Sequence, residues 1–329
     1  MMKPITAIVA TLLLAGCVST GKSPAPLTAP EGWIAPADDT ANIVETDDLQ
    51  GWWKDFNDPL LDTLVQHALV DNPDRLMAQA RIAEARGLRR EARGGLFPQI
   101  DLSGSVGRED QGLSTPTYPD NFYDAAFDAS YEIDLFGRNR NAAKAANERF
   151  LAAEQQYHNT GLSLVAEVVR TYIAYRQAQN RLGIANKNLV SQEETLKLID
   201  DLYRLGVAPK LDVERANNLV NTTRASIPEF QRQADTARFQ IAVLLGVFPD
   251  ALPEDLQSRG DIPGANARPV LMAPAQILAN RPDVKAAMHV LAANTALSNA
   301  AAAEVFPTLT LSGFYGIRDN GLVSAVNPW

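Results

Sequence analysis

Between Asn141 and Tyr203 the chain runs without proline, and Gly161 and Gly183 are its only glycines there. From Val168 an apolar or aromatic side chain returns at every seventh position: Val168, Tyr175, Leu182, Leu189, Leu196 and Tyr203. A strict seven-residue period keeps such a stripe on one side only when helices wrap around one another in the left-handed sense. The spacing predicts a single helix roughly 95 Å long, at about 1.5 Å per residue, which needs an equally long partner. After Leu205-Gly206-Val207-Ala208-Pro209 the segment Lys210 to Leu245 carries two such series. One is Val213, Val220, Ile227, Ala234 and Ile241; the other is Ala216, Thr223, Phe230, Ala237 and Leu244. Pro228 falls among them and predicts a kink. Taken alone, these residues describe a helical hairpin acting as a spacer or dimerisation rod.

Upstream, Asp58 as N-cap with Pro59 at the first helical position predicts a short helix to about Val70, with Leu60, Leu61, Leu64 and Ala68 on one face. Asn72-Pro73-Asp74 opens a second helix to about Leu96, stopped by Pro98, which disfavours helical geometry at Phe97. Beyond Pro98 the period falls to two. Across Gln99–Gly107, Ile100, Leu102, Gly104 and Val106 oppose Gln99, Asp101, Ser103 and Ser105. Residues Arg108 to Asn121, with Pro116 and Pro119, read as a loop. Asp124 to Leu135 then sets Ala125, Phe127, Ala129, Tyr131, Ile133 and Leu135 against Asp124, Ala126, Asp128, Ser130, Glu132 and Asp134. Strands oily on one side and acidic or hydroxylic on the other fit a membrane barrel, with lipid outside and water inside. The soluble alternative, a hairpin lying on a core, lacks an obvious cover, because the strands stand between two helices. Gly137 gives the backbone freedom to turn into the long helix. Gly246 ends the second half of the helical hairpin. Residues 247–274, with Pro249, Pro253, Pro263 and Pro269, read as irregular chain packed around its middle.

A shift of 209 residues lays Pro73–Gly107 on Pro282–Gly316 without a gap, with twelve of 35 positions identical. Among them are Pro73/Pro282, Asp74/Asp283, Phe97/Phe306, Pro98/Pro307, Leu102/Leu311, Ser103/Ser312, Gly104/Gly313 and Gly107/Gly316. A helix, a Phe-Pro break and an alternating strand occur twice in one order, which marks an internal duplication. The later strand reads Thr308, Thr310 and Ser312 inward, with Leu309, Leu311, Tyr315 and Ile317 outward.

The composition is globular, 46% hydrophobic and 21% charged, and the net charge of −9 argues against a nucleic-acid partner. The lone cysteine, Cys17, excludes an internal disulfide and a cysteine-based zinc site. Residues 1–17 read as a signal peptide: charged Lys3, an apolar run from Ile5 to Leu14, and Leu14-Ala15-Gly16-Cys17. That tetrapeptide resembles the lipobox, in which the cysteine is lipidated (palmitate among its acyl chains) and becomes the first mature residue; the alternative is an ordinary signal peptide with a chance cysteine. Val18 and Ser19 after it imply, in the lipoprotein resemblance, passage to the outer membrane. Residues 18–51, rich in Pro, Ala, Thr and Asp, read as a periplasmic tether. His67, His158 and His289 stand on separate predicted helices without metal-ligand spacing, and no phosphate loop or nucleophile elbow appears. The acids Asp124, Asp128, Glu132 and Asp134 have the period of a strand wall rather than of a catalytic cluster. With Ser130 they are the candidate lumen-facing residues.

The chain as a whole resembles the outer membrane efflux protein family, the TolC-like channels, and within it the lipoprotein branch serving resistance-nodulation-division (RND) pumps. The resemblance is carried by Trp52-Trp53 with Asp58-Pro59-Leu60, Tyr131-Glu132-Ile133-Asp134-Leu135-Phe136-Gly137, Tyr203-Arg204-Leu205-Gly206-Val207 with Leu211-Asp212-Val213, and Arg281-Pro282-Asp283 with Ala286-Ala287. It implies a mainly α fold with a membrane β part: a long helical coiled-coil barrel and outer-membrane strands, assembled as a homotrimer around one twelve-stranded barrel. Residues 52–281 would form the first repeat, comprising the β-hairpin 99–135, the helical hairpin 141–246 and an equatorial segment 247–281. Residues 282–329 would begin a second repeat, whose absent remainder makes a longer parent protein the expectation. The implied function is passive export of drugs or other small molecules through the outer membrane of a Gram-negative bacterium, with no enzyme activity and no cofactor. The implied partners are outer-membrane lipid, a periplasmic adaptor and an inner-membrane RND transporter. The implied adaptor contact is the tip Arg204, Leu205, Gly206, Val207 and Ala208; the plain alternative there is a bare turn closed by Gly206. A rival reading of the chain is a lipid-anchored periplasmic coiled-coil scaffold without a pore.

Overall fold

The computed structural model describes residues 51–109, 120–264 and 274–319; Cys17 and nearly all of the tether lie outside them. The longer elements are α1 (Pro59–Asp71), α2 (Pro73–Gly94), β1 (Gln99–Glu109), β2 (Asp120–Ile133), α3 (Arg138–Arg204), α4 (Lys210–Leu245), α5 (Glu254–Gln257), α6 (Pro274–Asn280), α7 (Pro282–Ala303) and β3 (Leu309–Asp319). They fall into two compact units. Of the described residues, one holds 81–109, 120–155 and 283–319; the other holds 51–80, 156–264 and 274–282. The uninterrupted apolar period appears as one 67-residue helix, α3, which contributes residues to both.

In the unit containing the helical hairpin, α1 starts where Asp58 caps it. One carboxylate oxygen accepts the backbone N–H groups of Leu60 and Leu61 at 2.9 and 3.1 Å. Leu61, Leu64, Val65 and Ala68 of α1 meet Leu164, Val165, Val168, Tyr172 and Tyr175 of α3 and Ala234, Ala237, Ile241 and Leu245 of α4. Leu252 and Leu256 from the irregular stretch after α4 close this core. All ten heptad positions expected on α4 are buried or half-buried, and the helix runs unbroken through Pro228. Gly246 adopts φ +70° to end α4; a side chain there would stand 2.8 Å from the Asp71 carbonyl. Asn72 joins the same corner, donating to the Leu244 carbonyl at 2.9 Å.

The other unit contains the duplication. Helices α2 and α7 each have 22 residues, and each is followed by an 11-residue strand. The three strands form an antiparallel sheet in the order β1-β2-β3. At the ends of β2 and β3 the Phe136 and Phe306 rings stack with centroids 4.5 Å apart and planes at 15°. The Arg89 guanidinium lies 4.0 Å over the Phe150 ring, and His289 Nδ1 meets a Glu148 carboxylate oxygen at 2.8 Å.

The hairpin differs from the expected one at both ends. Arg108, Glu109, Asp120 and Asn121 belong to the ladder instead of a loop. At the other end β2 stops at Ile133, so Asp134, expected on the strand wall, is a correction: it lies just beyond the strand. The Leu135 N–H turns back to the Ile133 carbonyl at 2.8 Å, and an Asp134 carboxylate oxygen accepts the Arg140 backbone N–H at 2.9 Å. Capping the first turn of α3 satisfies a donor that the helix leaves free, and this draws Asp134 out of the ladder.

Candidate functional site

Paired residues of an antiparallel ladder share a face, so the register sorts the sheet into two sides. One side carries Ile100, Leu102, Val106, Tyr123, Phe127, Tyr131, Ile133, Leu309, Leu311 and Tyr315. Nothing among the described residues covers it: Leu102 is 70% exposed, Val106 75%, Leu311 65% and Tyr315 69%. A soluble monomer rarely leaves so continuous an apolar surface to water. Along β2 it runs from Tyr123 to Ile133, which at about 3.3 Å per residue and a tilt near 40° makes a band about 25 Å tall, the height of an outer-membrane hydrocarbon layer.

The other side is wet. Gln99, Asp101, Ser103 and Ser105 of β1 share it with Asp124, Asp128, Ser130 and Glu132 of β2 and with Thr310 and Ser312 of β3. Asp101 and Asp128 stand directly opposite, a like-charge pair that water must solvate to be tolerated. The Ser103 hydroxyl donates to Asp128 at 2.8 Å, and the Ser105 hydroxyl donates to Asp124. Glu132 differs, because Arg138 at the start of α3 binds it two-fold at 3.2 and 2.5 Å, which holds the guanidinium above its ordinary pKa. Asp134, off the strand, pairs with Arg140 at 3.3 Å. Of the expected lumen acids, then, Asp128 stands opposite another carboxylate on the wet face and Asp124 opposite Arg318 of β3, while Glu132 is paired with Arg138.

Two aromatic residues on this wet face escaped the sequence reading. Phe314 pairs with Asp128 and is 84% exposed, and the Phe122 ring fills the space over Gly107. The strict period of two put Phe314 there; its apolar character masked the signal.

The hairpin tip is the other expected site. Gly206 takes φ +76°, its N–H donates to the Tyr203 carbonyl at 2.9 Å, and the Val207 N–H reaches the Leu202 carbonyl at 2.9 Å. This pair of hydrogen bonds closes the helix C-terminus and requires a left-handed residue. It thrusts Leu205 and Val207 into solvent, 76% and 72% exposed, while Ala208 is half-buried and Arg204 pairs with Asp200 at 2.6 Å. Among the described residues no cluster of metal-ligating side chains occurs, and no helix is long and apolar enough to cross a membrane.

Comparison with known proteins agrees with this geometry. Nodulation protein T of Rhizobium leguminosarum bv. trifolii is 30% identical over 97% of this chain and 69% of its own length. The probable efflux pump outer membrane protein SepC of Pseudomonas putida is 32% identical over 82% of this chain and 57% of its own. The solved outer-membrane channel OprN superposes with a TM-score of 0.83 at 36% identity, covering 92% of this chain and 68% of that one. The chain thus spans between about half and two thirds of these relatives. The model of the family described as "Outer membrane efflux protein", a family of channels and not of enzymes, matches residues 64–247. With that match, its relatives and a TolC-like fold, this chain belongs to the outer membrane efflux protein family.

Proposed function

We propose that this chain is a subunit of the outer-membrane channel of a tripartite RND-type efflux system, a passive conduit lipid-anchored through Cys17 and assembled as a homotrimer. The observation that carries the reading is the sheet: a bare apolar face of membrane height backed by a hydrated acidic one. A few strands cannot close a barrel alone, so the sheet is completed by others, and the bare side faces lipid. The pore-free scaffold reading would leave that face in water. Residues 52–281 are the first repeat, and the segment from 282 begins a second with the helix and strand that match Pro73–Gly107. In the assembly the tip Arg204–Ala208 is the contact for a periplasmic adaptor, which joins the channel to a proton-driven inner-membrane transporter. Leu205 and Val207 supply the apolar knobs for docking against another helical hairpin.

The conduit reading is tested in planar bilayers with protein purified from outer membranes. A trimer that dissociates on heating, together with a steady conductance, is the expected result; a soluble, nonconducting rod after removal of the lipid would sink it. Asp128→Lys should shift selectivity toward anions, because the unneutralised Asp101–Asp128 pair sets the field there. Glu132→Lys should shift it less, since Arg138 already offsets that charge. Unchanged selectivity in both variants would mean that these carboxylates do not line the water path.

At the tip, Gly206→Val places a β-branched residue at φ +76°, a strain of about 1–2 kcal/mol that redirects the turn. Drug resistance should be lost while trimers persist, and Gly206→Asn, which tolerates this conformation, should retain it. Normal resistance in the valine variant removes the docking role.

A further inference from the structure

We infer that Phe97 is one half of an aromatic contact between subunits, its ring holding the place beside β1 that Phe306 holds beside β3. The inference rests on the trimeric reading above and adds a residue and a register to it. Phe306 stands three residues before Leu309, which pairs with Ile133, and Phe136 stands three residues after Ile133. The stack of Phe306 on Phe136 therefore closes the end of the β2–β3 ladder, and strand register and ring contact are set together. The 209-residue shift that carries Phe306-Pro307 back to Phe97-Pro98 also carries Leu309 back to Ile100.

The handedness of the sheet says which edge is concerned. Strands β1 and β3 flank β2, run in the same direction and turn the same face to the apolar side. The edge of β3 that meets β2 thus corresponds to the edge of β1 that faces away from β2. That edge is open among the described residues, and Phe97 beside it is 68% exposed whereas Phe306 is half-buried. Its occupant is a strand of a neighbouring subunit. It runs as β2 runs and lies outside the described residues of that subunit, because β1 and β3 point the wrong way to add antiparallel to β1 and both edges of β2 are taken. It meets Ile100 as Ile133 meets Leu309, and it carries an aromatic residue three positions further on.

The experiment uses protein purified from outer membranes. Three such contacts per trimer, each of the strength of an ordinary aromatic pair, multiply together, so Phe97→Ala should lower the heat-resistant trimer at least about tenfold. Phe97→Trp keeps a ring and should keep the trimer. Its indole should escape quenching by brominated lipid, while Phe127→Trp on the bare apolar face is quenched. An unchanged trimer in Phe97→Ala, or an indole signal from Phe97→Trp quenched as fully as that from Phe127→Trp, overturns the inference and makes the ring a lipid anchor. Should the alanine variant fail to fold, the tryptophan variant decides alone. A monomeric wild type overturns the trimeric reading and this contact together, whereas a trimeric wild type indifferent to Phe97→Ala overturns the contact only.

Discussion

Gly316→Val should remove β3 from the sheet and with it the assembled channel. A Cβ at this position meets the Ala126 Cβ at 2.7 Å, the Ala125 carbonyl at 2.9 Å and the Ala126 Cα at 3.0 Å. Two of these atoms are backbone, and β2 cannot retreat because it is hydrogen-bonded to β1 on its other edge. Relief must come from β3 itself, at a cost of roughly 3 kcal/mol or more for a valine forced into the ladder. The duplication supplies controls of the same chemistry. Gly313 has nothing within 4 Å of where a Cβ would stand, and at Gly104 the nearest atom is an ordinary 3.6 Å away. Gly313→Val and Gly104→Val, both on the apolar side, should therefore leave the yield of heat-resistant trimer near that of wild type. Equal yields from Gly316→Val and Gly313→Val would show that the close approach of β3 to β2 is not required.

Arg176→Ala should destabilise the helical-hairpin unit by roughly 3 kcal/mol, because it opens a cavity and strands buried polar groups at one stroke. Only 4% of Arg176 is exposed. Its guanidinium donates to the Tyr172 hydroxyl at 3.1 Å, to Gln179 at 2.8 Å and to the Ser258 carbonyl at 2.6 Å. The Tyr172 hydroxyl in turn donates to Asp58 at 2.7 Å, the carboxylate that caps α1, so one network ties α1, α3 and the chain after α5 together. Gly260 lies against the guanidinium, with room for no side chain. In the variant the Ser258 carbonyl loses its donor and the strap carrying Arg259 should loosen from α3. Faster trypsin cleavage after Arg259 and a lower melting temperature are the readouts. Arg176→Lys should recover little, because an ammonium cannot span three acceptors as a planar fork does. Wild-type proteolysis in the alanine variant would show that the network is dispensable.

The same cluster sets an alkaline limit. Burial first, then the hydrogen bond to Asp58, pushes the Tyr172 phenol up from 10.0 to about 12, against the opposing pull of Arg176. A group whose pKa is raised on folding stabilises the fold fully below its unfolded value. That contribution should be present below pH 10 and fade as pH rises toward about 12. Tyr172→Phe should flatten the stability profile in that window.

What the chain declares locally, it declares in periods. A seven-residue stripe free of proline specifies α3, a second pair of stripes specifies α4, Gly206 and Gly246 mark where helices must end, and Pro98 and Pro307 mark where the period drops from helical to two. These signals depend on neighbours a few residues apart, so one sequence suffices to read the helices, the strands and the two faces of the sheet. Tertiary structure decided the rest, because it turns on which side chains from distant segments meet. Asp134 and Glu132 have the right period for a wet strand wall, yet Arg140 and Arg138 divert one to a helix cap and neutralise the other. Arg176 reads as one more surface charge on a helix until Tyr172, Gln179 and Ser258 converge on it. Gly313 and Gly316 look alike in the repeat, and only the register of β3 on β2 makes one of them irreplaceable.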